Sequence, residues 1–394
     1  MGALGARHPG LVGRPAYLDY NATTPIDPAV LEAMLPYLTA EFGNPSSGHA
    51  YGTTAHLALA RAREQVAALI GAPAGSSLVF TGSGSEADAL AIRGVVLASP
   101  RLRRGVHVIT QATEHPAVLA ACDELRDMHG VRITVLPVDA AGVVDPQTLA
   151  DAIRPDTVLV SVMHANNETG TIQPIAQIAE IAHARGVLVH ADAAQSVGKV
   201  TVDVAALGVD LLTVVGHKVY APKGVAALFV AAGVPLRPVV GGGGQEGGLR
   251  AGTENVPYVV GLGRAAELAG AALAGGEAAR LIGLRDRLHS QLEDLLPGRV
   301  HLNGHPVERL PNTLNVSLDG VRALTVLDRL DTVAASAGSA CHSGQDEPSP
   351  VLTAMGVPFA RAVAALRFSV GRWTTDDEVD QAAERIATVA GATD

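Results

Sequence analysis

Between Ser77 and Val230 the chain alternates short runs of β-branched and other apolar residues with longer stretches in which apolar positions recur every three to four residues. The runs predict strands at Ser77–Thr81, Val106–Thr110, Ile133–Val138, Val158–His164, Val187–Asp192, Leu211–Val215 and Val225–Val230. The longer stretches predict helices over His56–Ile70, Glu86–Ala98, Pro116–His129 and Pro174–Arg185, with Pro116 at a first-turn position. Near-continuous apolar strands alternating with helices predict an α/β fold whose mostly parallel, seven-stranded sheet is covered by helices on both faces. In such a sheet, functional side chains collect at the strand ends and in the loops that follow.

The alternation stops near residue 260. An Ala-rich helical stretch to about Leu296 follows, then short strands at Thr313–Leu318 and Leu366–Val370 and a charged final helix. This predicts a smaller α+β domain. The expected division is a loose tail over 1–16, a large α/β domain over 27–262, and a small domain built from 17–26 and 263–394 that carries a loop at 336–351. The GGGGQEGG run (241–248) has the composition of a linker but sits among dense motifs, so a tight loop is expected there.

Composition narrows the function. A formal net charge of −10 disfavours a nucleic-acid partner, which needs clustered Lys and Arg. No apolar run is long enough for a membrane span. Two cysteines cannot make a disulfide framework, so a reducing, cytoplasmic setting is expected. Cys122 shares an apolar helical face with Val118, Leu119 and Leu125 and is read as packing. Cys341, in SAGSACHSGQDEPSP, lies among small and polar residues where a thiol gains little from burial. No second cysteine or spaced His pair accompanies Cys341–His342, which disfavours a metal site. Lys and Arg total 29, yet the only lysines are Lys199, Lys218 and Lys223. Arginine replaces lysine at a solvated charge, but not where a neutral amine is needed.

The candidate chemistry lies at strand ends. In FTGSGSEADALAIRG, Gly82, Gly84 and Ala87 follow a strand and open a helix, a setting in which backbone N–H groups hold phosphate. Neither the acidic residue of a dinucleotide site nor a Walker lysine follows, so nicotinamide and nucleoside triphosphates are disfavoured. Asp192 and Gln195 end one strand, His217 and Lys218 the next, and His115 follows a third. A phosphate cradle, an acid, an imidazole and a lysine on one sheet edge match the needs of pyridoxal phosphate. That cofactor requires a Schiff-base lysine and an acid to keep its ring nitrogen protonated.

The segments YLDYNATTPIDP, GNPSSGHAYG, MHANNETGTIQPI, HADAAQSVGK, GHKVYAPKG, RAGTENVP and SAGSACHSG…DEPSPVL…LRFSVGR resemble, in order, the NifS-like cysteine desulfurases. These form part of the class V aminotransferase branch of fold-type-I pyridoxal phosphate enzymes. The resemblance implies that Lys218 carries the cofactor, Asp192 pairs with its ring nitrogen, Gln195 bonds its ring hydroxyl and His115 stacks on the ring and moves protons. It implies that Asn167 sits beside the cofactor hydroxyl and the substrate. Gly84, Ser85 and His217 would hold the phosphate, with Thr253 reaching it from the other subunit of a homodimer. Arg367 would grip the carboxylate of L-cysteine, and Cys341 would take the sulfur as a persulfide and pass it to an acceptor protein. Val215 stands where many members have Ser, and Ala221 where they usually have Gly. Val-Gly-His-Lys, LPNT (310–313) and ACHS resemble the selenocysteine lyase branch instead, so L-selenocysteine remains an alternative substrate. Another class V aminotransferase or lyase activity, or a non-catalytic scaffold that binds a sulfur acceptor, also stays open.

Overall fold

The computed structural model describes residues 7–337 and 347–392. Its main sheet has seven strands in the order Ser77–Thr81, Ala226–Val230, Leu211–Val215, Leu188–Asp192, Thr157–Ser161, His107–Gln111 and Arg132–Leu136. Ala226–Val230 runs antiparallel to both neighbours, and the other neighbouring pairs are parallel. The fully buried apolar strands, such as Leu211–Val215, lie inside the sheet, while Arg132–Leu136 is partly exposed at an edge.

Alternate residues of each strand feed two cores. One face places Phe80, Ile109, Val160, Val189, Leu212 and Phe229 under the helices Ala50–Leu69, Ile175–His183 and Val256–Ala274. The other places Val79, Val108, Leu159, Leu211 and Leu228 under Gly84–Ala98 and Pro116–His129. Cys122 is buried in this second core, and burial pushes its thiol up to about 12, so it packs and does not react.

A four-stranded antiparallel sheet, in the order Ser336–Ala337, Ala365–Ser369, Thr313–Leu318 and Val300–Leu302, has its own core against the helices Glu277–Leu295 and Asp376–Gly391. The N-terminal segment joins this body. Ala16–Tyr17 pairs with Val333–Ala334, Leu18 enters the core, and a Cβ on Gly371 would stand 2.2 Å from the Tyr20 ring. The expected boundary at 262/263 falls inside the helix Val256–Ala274, whose buried face packs on the large sheet. The Ala-rich stretch breaks at Gly275–Gly276, where Gly276 has φ +85°.

Two local differences have physical causes. The helix expected from His56 begins at Ala50, because the His49 ring caps the Gly52 N–H and Gly52 packs closely on the 44–47 turn. A Cβ on Gly52 would stand 2.1 Å from the Ser47 carbonyl oxygen. The 241–248 run is pinned and does not act as a linker. Glu246 takes both Nη atoms of Arg63 at 2.9 Å and the Phe80 N–H at 2.9 Å.

Candidate active site

A cleft of about 560 Å³ opens at the C-terminal ends of the parallel strands, between the two bodies. Nine sequence-predicted site residues line it: Gly84, Ser85, His115, Asn167, Asp192, Gln195, His217, Lys218 and Arg367. They arrive from different elements. Asp192 ends the strand Leu188–Asp192, Lys218 ends a short turn after Leu211–Val215, and His115 caps the helix Pro116–His129. Arg367 comes from the small sheet.

Lys218 Nζ donates to the Asn21 and Ala22 carbonyls at 2.5 and 2.9 Å. Burial, reinforced by the positive Arg367, lowers its pKa to about 8, although Asp192 and Asp19 pull it upward. An amine held this way is readily available as a neutral nucleophile. Asp192 is buried and accepts the Ala194 N–H at 2.9 Å. Burial raises its pKa, against the opposing pull of that N–H, His115 and Lys218. It is a carboxylate suited to a cationic ring nitrogen. The His115 Nδ1 accepts the Ala117 N–H at 3.2 Å, which leaves Nε2 as the nitrogen that carries and exchanges a proton. Burial lowers the pKa of this ring, against the pull of Asp192 and with Lys218 acting in the same direction as burial. Burial and the three lysines also hold His217 neutral, with a pKa of about 4.

At the opposite wall the helix Gly84–Ala98 starts. Ser83 caps it by accepting the Glu86 N–H, and the Gly84 and Ser85 N–H groups have no partner among the described residues. A Cβ on Gly84 would lie 2.6 Å from Val215 Cγ2. The valine that replaces a hydroxyl donor therefore packs against the bare Cα of the cradle. Gly84→Ala should push Val215 or the helix start out of place and weaken pyridoxal phosphate retention at least about tenfold, with an unfolding temperature near that of the parent. Fluorescence titration of the cofactor-free protein checks this.

Arg367 donates from Nη2 to Asp19 at 2.8 Å and from Nη1 to the Asn167 carbonyl at 3.1 Å, while its buried Nε has no hydrogen-bond partner among the described residues. A planar guanidinium with an unused N–H suits a substrate carboxylate. An anion cradle at one end, a buried acid at the centre and a low-pKa lysine near the Arg367 guanidinium fit pyridoxal phosphate.

Two predicted residues stand apart. Thr253 is exposed and does not line its own chain's cleft. Cys341 and its neighbour His342 lie outside the described residues. The flanks of their segment are described, and both sit by the cleft. Ser336 is paired opposite Arg367 and donates to Asp19 at 3.2 Å. Ser349 caps the helix Pro350–Ala354 and donates to Glu168, next to Asn167. Burial raises Glu168 to about 7, against the effect of the Ser349 hydroxyl.

Sequence reasoning missed Asn21, Asp88 and Lys199. Asn21 touches Lys218, Gln195, Asn167, Asn312 and Thr313 from one position. Asp88 lies one turn into the cradle helix, buried, with Oδ1 3.7 Å from His190 Nε2 but without a hydrogen bond among the described residues, and with its pKa well above the ordinary value through burial and then Asp192. Their motifs were visible, but their partners lie far away in sequence. Among the described residues no cluster of three His, Cys, Asp or Glu side chains is arranged to hold a metal ion, and no helix is long and apolar enough to cross a membrane.

The fold and this cleft define a pyridoxal phosphate enzyme of fold type I. The chain belongs to the aminotransferase class-V family, whose model matches residues 16–382. It is 47% identical over 371 residues to a cysteine desulfurase of Cereibacter sphaeroides, covering 93% of this chain and 94% of the relative. A solved NifS-like protein superposes with a TM-score of 0.88 at 37% identity, over 96% of this chain and 100% of the other. The solved complex titled "SspA in complex with cysteine" has a TM-score of 0.78 at 36% identity, over 91% and 100% of the two chains.

Proposed function

We infer that the protein is a pyridoxal-phosphate-dependent cysteine desulfurase that converts L-cysteine to L-alanine and retains the sulfur on Cys341 as a persulfide. One observation carries this reading. A low-pKa lysine, a buried acid and an arginine with an unused N–H share one cleft, and both flanks of the Cys341 segment are rooted at its edge. The similarity to cysteine desulfurases supports the same substrate.

In this reading Lys218 would hold the cofactor aldehyde, and Asp192 would pair with the ring nitrogen. Gln195 and Asn167 would bond the ring hydroxyl, and His115 would stack on the ring. Gly84, Ser85 and His217 would hold the phosphate. The cofactor supplies an electron sink for charge released at the substrate Cα. Arg367 binds the substrate carboxylate and fixes the direction of entry. The Lys218 amine takes the Cα proton, and its lowered pKa makes that role accessible near neutral pH. His115 exchanges a proton through Nε2. The Cys341 thiolate, with His115 or His342 favouring its ionised form, attacks the substrate sulfur. An S–S bond forms, the Cβ–S bond breaks, and its electron pair stays with the three-carbon fragment, which is protonated to alanine. Cysteine plus thiol gives alanine plus persulfide, so no external oxidant or reductant is consumed. Mass spectrometry of the protein after incubation with cysteine tests this, because one added sulfur belongs on the Cys341 peptide. Running the assay against selenocysteine tests the alternative substrate.

The large domain ends, in this reading, at the Gly275–Gly276 break, and residues 17–26 belong to the small one. A protein that accepts the persulfide sulfur is the expected partner. A chain with two cysteines and no disulfide framework suits a reducing medium, so the cytoplasm is the expected location, and cell fractionation is the check. We also assign the protein as a homodimer. Leu31, Leu35, Leu38 and Phe42 form one exposed apolar stripe on and just beyond the helix Pro28–Thr39, and Phe42 stacks on Tyr51 at 5.5 Å. Thr253, exposed outside its own cleft, is available to a second copy. Leu35→Glu together with Leu38→Glu should convert dimer to monomer in light scattering and lower cofactor retention. Dimers that survive both charges would remove this assignment.

A further inference from the structure

Lys199 is the third lysine of the set and is unused by the chemistry above. It lies in the turn after Asp192, is 7% exposed, and makes no ion pair among the described residues. An unpaired buried ammonium is costly. Burial lowers its pKa well below the ordinary value, and Lys218 and Arg367 act in the same direction. Its Nζ donates to Gln195 Oε1 at 2.7 Å and to Asn21 Oδ1 at 3.4 Å.

These contacts settle how the Gln195 carboxamide faces. A lysine offers donors, so the atom beside it is the oxygen. The Asn21 carbonyl accepts only, so the atom 3.0 Å from it is the nitrogen. Rotating the amide by half a turn would set N–H against Nζ and oxygen against carbonyl, both buried. Asn21 is fixed in turn, because its Oδ1 also accepts from Asn312 and its Nδ2 donates to Thr313 and the Asn167 carbonyl. The Asn21 carbonyl that orients Gln195 also receives Lys218 Nζ. With one Nε2 hydrogen spent on Asn21, the second remains for the cleft that Gln195 lines.

We propose that Lys199 is a positioning residue that locks the Gln195 carboxamide with its N–H donor available to the ring hydroxyl of the cofactor. The proposal rests on the pyridoxal phosphate reading above. Lys199 was retained in an arginine-rich chain because a compact donor is needed at this point, where a guanidinium is larger and brings a fixed charge. Among the described residues, the charged and titratable groups around the cofactor site are Lys218, Lys223, Arg367, Asp192, Asp88, Glu114, His115, His217 and Asp19, and all stay in place in the test.

The experiment is a pH titration of the visible absorption band of the purified holoenzyme for the parent, Lys199→Met, Lys199→Gln, Gln195→Ala and the Lys199→Met/Gln195→Ala double variant. Losing the oriented donor should move the titration midpoint by about one unit, a tenfold change in acidity, in Lys199→Met and in the same direction in Gln195→Ala. The double variant should shift no further than Gln195→Ala alone. Lys199→Gln, which restores a donor without a charge, should return the midpoint most of the way to the parent's. An unmoved midpoint in Lys199→Met, an undiminished Lys199 effect without Gln195, or a Lys199→Gln shift as large as that of Gln195→Ala would each overturn the proposal. Should Lys199→Met fail to fold, the Lys199→Gln midpoint decides: near the parent's it supports the proposal, near that of Gln195→Ala it overturns it. A parent protein with no visible cofactor band would instead remove the pyridoxal phosphate reading itself, and this inference with it.

Discussion

Lys218→Ala should abolish formation of alanine from cysteine, with a loss of at least about 10³-fold, since covalent cofactor attachment and proton transfer at Cα vanish together. The fold should survive. Among the described residues the Lys218 amine bonds only to the Asn21 and Ala22 carbonyls, which face a cleft that water can enter once the side chain is gone. The unfolding temperature of the variant should therefore stay within a few degrees of the parent's, while the alanine assay reads zero. Neither Lys199 nor Lys223 can substitute. Lys199 is committed to Gln195 and Asn21, and Lys223 is exposed, in the loop between the strands Leu211–Val215 and Ala226–Val230. Normal turnover in Lys218→Ala would mean that the cofactor assignment is wrong.

Cys341→Ala should separate cofactor binding from sulfur transfer. The contacts that define the cradle, the acid and the lysine are made among the described residues, so the variant should keep the visible cofactor band and its affinity for pyridoxal phosphate. Persulfide formation on the protein should disappear, and alanine production should fall about 10²-fold or more, because the substrate sulfur then lacks its nucleophile. A thiol of ordinary pKa, roughly 8.5, is only partly ionised at neutral pH, so activity of the parent should rise with pH as the thiolate forms. Cys122→Ala is the matching control. Its thiol is buried and pushed up to about 12, and its removal should leave sulfur transfer unchanged. Wild-type desulfuration by Cys341→Ala would remove Cys341 from the mechanism.

Much of this architecture was legible in the chain. Strand positions followed from apolar runs because an interior parallel strand is buried on both faces. The strand-end rule then placed Asp192, His217, Lys218 and His115 on one edge, where the structure has them. The helix from Ala50 was shortened in prediction because a buried glycine and a histidine cap contribute nothing to apolar periodicity. The break at Gly275–Gly276 sits in a stretch where Gly261, Gly263 and Gly270 stay helical, and the φ of Gly276 distinguishes it from them. Least legible were the residues that act through others. Asn21 meets Thr313 and Asn312 across almost the whole chain, and Lys199 draws its meaning from an amide oxygen four residues back and an asparagine 178 residues away. No local pattern encodes contacts of that separation. Val215 is the reverse case. In sequence it marks a missing hydroxyl, and in three dimensions it explains why residue 84 has no side chain.

The central claim is that a single amine carries the cofactor. With three lysines in the chain, borohydride reduction of the pyridoxal-phosphate-loaded protein followed by peptide mapping gives an unambiguous answer. The account predicts a pyridoxyl group on Lys218 alone. A label on Lys199 or Lys223, or a reduced protein with no label, would contradict it.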